Sequence, residues 1–370
     1  MVRIGFDITS AVKRRGRGIS SYIVSLLSHL EKIETAIDPV FFIRDNRWGE
    51  RDLVGHLFPS AERRWLIGPL GRVGKGLDGF HGMGTRLPWR CSVPKTFTLH
   101  DLRDYMGLDH LDENCSPIKG KRKWTTIQRS SGIICPSEYG RQRVLDMCSW
   151  ISPESVIAIH HGVDHDLFYP PDPKEASSVA KRLGIEGDFL LQVGSFFPHK
   201  NLELSLRAFA LSRACKEGLA LVFVGGGASS SYEGVLKKLT HDLGVGDRVC
   251  WVEHAEAEDL PKLYGSASLV LFPSRYEGFC LPVVEAMACG TPGVVSSETC
   301  LPEVSGNLWP ISGPDDPDSF ASGIDRLLFD VDVRSEAVRL GLERAKEFTW
   351  ENCARTTASF LKTSLERTVS

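Results

Sequence analysis

The sequence predicts an α/β protein made of two doubly wound parallel sheets. Three observations predict it. The chain has 370 residues, more than one ordinary core organises and enough for two domains. Short apolar runs alternate with longer stretches of helical periodicity, the pattern of β-α-β units. That alternation also falls into two series, parted by a proline-rich polar segment.

The first series opens with "RIGFDI" and continues through "PVFFIR", "KTFTLHDL", "GIICPS" and "VIAIHHG". Between its first two runs, "ISSYIVSLLSHLEKI" carries apolar residues at helical spacing. "YPPDPKEASS", Tyr169 to Ser178, is rich in proline and small polar residues and reads as the linker. The second series runs "FLLQVGS", "LALVFVGGG", "RVCWVE", "SLVLFPS" and "PGVVSS", with helices such as "NLELSLRAFALSRACK" between. The expected domains are residues 1–170 and 171–350. Right-handed crossovers place ligand sites at the carboxyl ends of the strands, so two such domains facing each other would make a cleft.

Composition excludes several classes. Hydrophobic residues at 42% and charged residues at 25% are ordinary for a globular chain, which argues against disorder. The ten cysteines are scattered without a C-x-x-C pair, which excludes zinc ribbons and thioredoxin-like motifs. Several lie in apolar contexts and read as reduced, buried thiols of a cytosolic protein. "MVRIGFDIT" reads as a first strand rather than a leader. No apolar run approaches the ~20 residues that span a bilayer. The expected location is cytoplasmic, with any membrane contact peripheral, at the inner face.

Charge is unevenly spread. Residues 1–170 hold 24 Lys and Arg against 19 Asp and Glu, a formal +5; residues 171–370 hold 20 against 28, a formal −8. The basic residues of the first half cluster in "KRRGR" (Lys13 to Arg17) and "KGKRK" (Lys119 to Lys123). Such clusters are either solvated loops or a surface for an anionic membrane or a phosphate-bearing acceptor. No DNA-binding signature or basic aromatic sheet motif accompanies them, so nucleic acid is not an expected partner.

Glycine clusters invite nucleotide readings, and one is a decoy. In "GPLGRVGKG" the first glycine of a P-loop falls on Pro69 and its Ser/Thr on Gly76. The acid pairs "DPD" (Asp316 to Asp318) and "DVD" (Asp330 to Asp332) read as helix caps or solvated turns rather than metal ligands. No metal is expected.

Three stretches are better placed. "VGSFFPHKNLELSL" puts Gly194 and Ser195 at a strand end and Lys200 at a helix start, where the lysine is either a point charge for a phosphate or an exposed first-turn residue. "LVFVGGG" ends another strand in glycines that either let backbone approach a ligand or form a plain turn. "SRYEGFCLPVVEAMACG" is the third. Pro282 fits the first helical position and Gly290 the residue just past the end. The amides of Gly278 to Val283 then form an anion-binding rim. Glu285, in the first turn, and Glu277, on the loop, can each accept two hydrogen bonds from a vicinal diol. Taken singly, both acids read more readily as ordinary structural residues, a first-turn acid and a solvated loop residue.

The combination resembles the E-x7-E segment of retaining glycosyltransferases of the GT-B fold, the glycosyl transferases group 1 family. The likeness extends to "VGSFFPHKNLELSLRAFA", "IICPSEYGRQRVL", "VIAIHHGVDHDLFYP", "TLHDLRDY" and "GRGISSYIVSLLSHL". Within the family it looks most like the branch that moves mannose in surface polysaccharide assembly. The resemblance implies two Rossmann-like domains facing a central cleft, with a C-terminal helix, about 351–370, packing back on the first domain. It implies a nucleotide diphosphate sugar as donor, GDP-mannose favoured, no separate cofactor, and a saccharide or lipid-linked acceptor.

By the same resemblance, Glu285 binds the donor ribose, and Glu277 binds sugar hydroxyls and helps stabilise the transition state. Gly278, Phe279, Cys280 and Leu281 face the sugar and phosphate through their backbone. Lys200 neutralises the leaving diphosphate, and Ser195 is a further phosphate contact. His100 lines the acceptor side, and Gly16 and Gly18 let the first loop approach the diphosphate. Two positions depart from the family pattern: Ser195 stands where a basic residue is common, and Cys280 where glycine is common. A sugar-nucleotide epimerase and a catalytically silent nucleotide-sugar-binding protein are the alternative readings of the same fold.

Overall fold

The computed structural model describes residues 1–11, 17–33, 35–50, 58, 62–66, 72–84, 87–103, 124–227 and 229–369. They form two compact units, one of residues up to 162 together with 349–369, the other of residues 163–348. Gly16 and both basic clusters, apart from Arg17, lie outside the described residues.

The first unit is built on seven parallel strands: β1 (Val2–Asp7), β2 (Ile37–Arg44), β3 (Glu62–Leu66), β4 (Gly79–Gly82), β5 (Lys95–Thr98), β6 (Gly132–Cys135) and β7 (Val156–Ala158). Their order is β3-β2-β1-β4-β5-β6-β7. Helix α1 (Arg17–Lys32) follows β1 and buries Tyr22, Ile23, Leu26, Leu27 and Leu30, one stripe at helical spacing. Helix α2 (Glu138–Met147) starts at Ser137, whose hydroxyl accepts from the Gly140 amide.

The second unit repeats the plan. Its strands are β8 (Phe189–Val193), β9 (Ala220–Val224), β10 (Val249–Val252), β11 (Leu269–Phe272), β12 (Gly293–Ser296) and β13 (Ile311–Ser312), ordered β10-β9-β8-β11-β12-β13 and all parallel. Helices cover both faces, so central strands read as unbroken apolar runs; every residue of β11 is buried. The helices used below are α3 (Pro173–Arg182), α4 (Leu202–Leu211), α5 (Ser230–Asp242), α6 (Leu260–Ser266), α7 (Leu281–Ala288), α8 (Pro317–Phe329) and α9 (Val331–Ala345). In α8 and α9 the acid pairs do cap: Asp316 accepts from the Ser319 amide at 2.9 Å and Asp330 from Val333 at 3.1 Å.

The linker expectation is corrected. Tyr169 to Ser178 is not a free connection, because Asp172 caps α3 and Pro173 occupies its first turn, where a missing N–H costs nothing. Ala176, Val179 and Ala180 of α3 are buried. The boundary also falls earlier than 170. Val163 donates to the Phe348 carbonyl at 3.0 Å, which ties residue 163 to the second unit. The final helix α10 (Trp350–Val369) belongs to the first unit, where it packs against α1.

Candidate active site

In both sheets the strand order reverses beside the first strand of the unit, and such a switch point opens a crevice at the carboxyl ends. In the second unit the switch lies between β8 and β11. The loops that leave these two strands carry Gly194 to Lys200 and Pro273 to Cys280. The sequence-expected lysine and the first glutamate therefore come from different crossovers and meet at one point.

Lys200 Nζ donates to Glu277 Oε1 at 2.6 Å, and the Ser274 hydroxyl donates to the same oxygen at 2.8 Å. The Glu277 amide donates to Thr299 Oγ1 at 3.1 Å. Both side chains of the ion pair are largely buried, 17% and 10% exposed, which lifts the pair out of the weak surface class. Burial by itself would raise the Glu277 carboxyl. The charges of Lys200 and His199 and the two donated hydrogen bonds outweigh it, holding the group below its usual range and ionised. The loop around it is strained: Cys280 sits at φ 70° and Thr299 at φ 59°, left-handed conformations that suit glycine. Such strain gathers where surrounding structure enforces a geometry.

The Lys200 loop is equally fixed. A short turn, Pro198–Lys200, ends in Asn201 at φ 54°. Asn201 Nδ2 donates to the carbonyls of Pro273, at 3.1 Å, and Pro314, at 2.7 Å. Gln192 holds the Lys200 carbonyl at 3.0 Å. Gly194, at φ 148°, faces the lysine stem; a Cβ there would lie 3.8 Å from Lys200 Cε. Ser195 follows, half-buried. Gly225, at the end of β9, lies against this turn. A Cβ on it would stand 1.8 Å from the Gly194 carbonyl oxygen, so no side chain fits.

Helix α7 begins at Cys280, whose left-handed backbone does what the glycine common at this place would do freely. Its thiol is hydrogen-bonded to Glu277; burial first, then that carboxylate, push the thiol far up and keep it protonated. Gly290, at φ 74°, lies just past the end of the helix, as the sequence predicts. Two expectations are corrected. The Val283 amide donates to the Cys280 carbonyl at 3.0 Å, so the rim stops short of it. Leu281 is the first helical residue and Glu285 the fifth, in the second turn rather than the first. Glu285 accepts instead from the Tyr264 hydroxyl at 3.0 Å.

His100 lies in the first unit, at the carboxyl side of β5. Its Nε2 lies 3.0 Å from the Met83 carbonyl, an acceptor only, so Nε2 carries the proton and Nδ1 is the basic nitrogen. Burial lowers its pKa to about 4, against the opposing pull of Met83 and Asp101. The ring packs edge-on to Tyr22 at 4.7 Å and lies 5.6 Å from His161. Tyr22 and the buried His81 converge on Thr98 Oγ1, at 2.8 and 3.0 Å. Gly18 lies in the first turn of α1, exposed, with open space where a Cβ would be.

Sequence reasoning missed Ser274, Thr299, Tyr264 and the Tyr22–His161 packing. Ser274, three residues before Glu277, was the one within local reach; the others are joined to the site only by the fold.

Two sheets of this topology, with an ammonium, a carboxylate and a helix start at one switch point, make a protein suited to a ligand both anionic and rich in hydroxyls. The described architecture is that of the GT-B fold. Anabaena HepE in complex with UDP-glucose matches with a TM-score of 0.76 at 16% identity, over 98% of this chain and 100% of that one. The family description "Glycosyl transferases group 1" matches residues 174–341. The O-antigen chain mannosyltransferase B of Escherichia coli is 29% identical over 288 residues, 76% of this chain and 74% of its own. The D-inositol 3-phosphate glycosyltransferase of Frankia alni is 35% identical over 283 residues, 72% of this chain and 67% of its own. The chain belongs to the glycosyl transferases group 1 family.

Proposed function

We propose that this chain is a retaining, metal-independent hexosyltransferase. It moves a hexose, mannose by preference, from a nucleotide diphosphate sugar to a hydroxyl of a saccharide or lipid-linked saccharide during surface glycan assembly. The observation that carries the reading is the buried Lys200–Glu277 pair at the switch point, beside the start of α7. An ammonium there meets the departing diphosphate, and the carboxylate beside it meets sugar hydroxyls.

The bond between the anomeric carbon and the diphosphate breaks as the acceptor oxygen attacks from the same face. The leaving phosphate oxygen takes the acceptor proton, so no protein nucleophile is required. Lys200 and the backbone of Gly278, Phe279, Cys280 and Leu281 stabilise the negative charge that develops, with Ser195 as a neutral phosphate contact. Glu277 stabilises the positive sugar, and Glu285 holds the ribose. His100 serves the acceptor side through Nδ1, and Gly16 and Gly18 let the chain after β1 approach the diphosphate. Intact Glu277, Lys200 and His100 favour this over a silent binding protein, and donor hydrolysis without acceptor separates transferase from epimerase.

Location follows the same reading, cytoplasmic with a peripheral contact at the inner membrane face. No helix among the described residues is long and apolar enough to cross a membrane.

Thermal shifts test the donor. GDP and GDP-mannose should stabilise the protein more than UDP and UDP-glucose, as a mannosyltransferase relative suggests. A clear shift with UDP forms and none with GDP forms reverses the assignment. Among the described residues no group of three or more His, Cys, Asp or Glu could hold a metal ion. On the metal-independent scheme turnover should persist in excess EDTA; activity lost to chelator and restored by Mg²⁺ or Mn²⁺ would refute it.

A further inference from the structure

Glu285 stands in the second turn of α7, beyond the reach of the helix N-terminus, whose effect fades within one turn. Its neighbours Val283, Val284, Ala286, Met287 and Ala288 are all buried. Nothing in the helix itself calls for an acid at this place. A contact that favours an acid here comes from α6, where Tyr264 is fully buried and donates its hydroxyl to Glu285 Oε2 at 3.0 Å.

Tyr264 is locked by its surroundings. The Thr291 hydroxyl bonds its backbone carbonyl at 2.7 Å, and the Phe168 ring packs 6.3 Å from its own. Burial, followed by the charge of Glu285, pushes the phenol far up, so the hydroxyl remains a donor at every working pH. A fixed neutral donor beside a half-buried carboxylate limits where that carboxylate points. A glutamate side chain has three rotatable bonds, and gripping a vicinal diol freezes them.

We infer that Tyr264 is a positioning residue for nucleotide binding: its hydroxyl holds the Glu285 carboxylate in the orientation that receives the ribose diol of the donor. The inference rests on the assignment of the ribose to Glu285 made above. It makes the tyrosine matter for nucleosides and not for phosphate alone.

The test is calorimetric, on the full chain, with GDP, UDP and inorganic pyrophosphate as probes. Tyr264→Phe keeps the ring and its packing and removes only the donor. It should weaken the nucleoside diphosphate five- to tenfold while pyrophosphate binds within twofold of native. Donor KM should rise by the same factor with kcat retained. Tyr264→Phe combined with Glu285→Gln should bind no more weakly than Glu285→Gln alone, because both changes remove one interaction. Glu285→Asp, which withdraws the carboxylate from the native tyrosine by one methylene, should repeat the nucleoside-selective loss and serves if Tyr264→Phe does not fold. The inference is overturned if Tyr264→Phe binds nucleotide like native, or if nucleotide and pyrophosphate weaken together. Native protein that binds no nucleoside diphosphate overturns the proposed function and this inference with it. Loss in Glu285→Gln but not in Tyr264→Phe overturns this inference alone.

Discussion

Glu277→Gln should lower kcat by about two orders of magnitude or more, while free nucleotide binds about as well as to the native chain. Glutamine keeps the size and one acceptor for Ser274 and Lys200, so the loop loses charge and little geometry. On the proposed mechanism that charge opposes a positive sugar in the transition state, so kcat and not binding should carry the loss. Lys200 keeps a neutral acceptor in place of the carboxylate it meets at 2.6 Å, so its own charge is unchanged. Glu285→Gln should do the reverse and mainly raise donor KM. Acid should imitate the first substitution. Because the folded-state pKa of Glu277 is depressed, its contribution to stability is complete above the usual carboxylate pKa and is lost as pH falls through the lowered value. Assays of both variants for turnover and nucleotide affinity decide the matter. Equal loss of nucleotide binding in both, with kcat unchanged, would reduce the two acids to loop scaffolding.

Gly225→Ala should be among the most damaging single-methyl changes available, costing at least ~3 kcal/mol and much of the soluble yield. The added Cβ would stand 1.8 Å from the Gly194 carbonyl oxygen, a backbone atom that no rotamer change can move aside. The residue is also at φ 143°, which adds conformational cost. Gly184→Ala is the control. Gly184 has a positive φ of 77° but open space around the new methyl, so only about 1–2 kcal/mol of backbone strain applies. Urea midpoints of the two variants should differ widely. If they coincide, the loops after β8 and β9 are not held in contact as described.

Much of the fold was legible because parallel strands buried on both faces must be continuous apolar runs, as "SLVLFPS" and "LALVFVGGG" are. The caps at Asp316 and Asp330 and the stop at Gly290 were legible because their chemistry is local. Lys200 and Glu277 were legible as candidates through the strand-to-helix junctions they occupy, but their bond was not, since it joins crossovers 77 residues apart. The segment after Tyr169 misled because proline ends helices and also begins them, and only Asp172 distinguishes the two. The boundary at 162/163 rests on a bond from Val163 to Phe348, which no window of sequence contains. Tyr264 lies within an ordinary apolar helix pattern; nothing local marks the hydroxyl as different from a phenylalanine ring.

Helix α10 gives the protein a particular birth order. Gly79 of β4 and Gly132 of β6 have no side chains of their own, and Leu365 and Phe360 of α10 press where those side chains would be, 2.5 and 3.0 Å from the missing Cβ positions. The first unit therefore cannot cover this face until residues 349–369 have been made, whereas residues 163–348 form one uninterrupted stretch. Domains fold as units, ordinarily in the order of their synthesis. The sheet translated first therefore gains this cover only once residues 349–369 have been made.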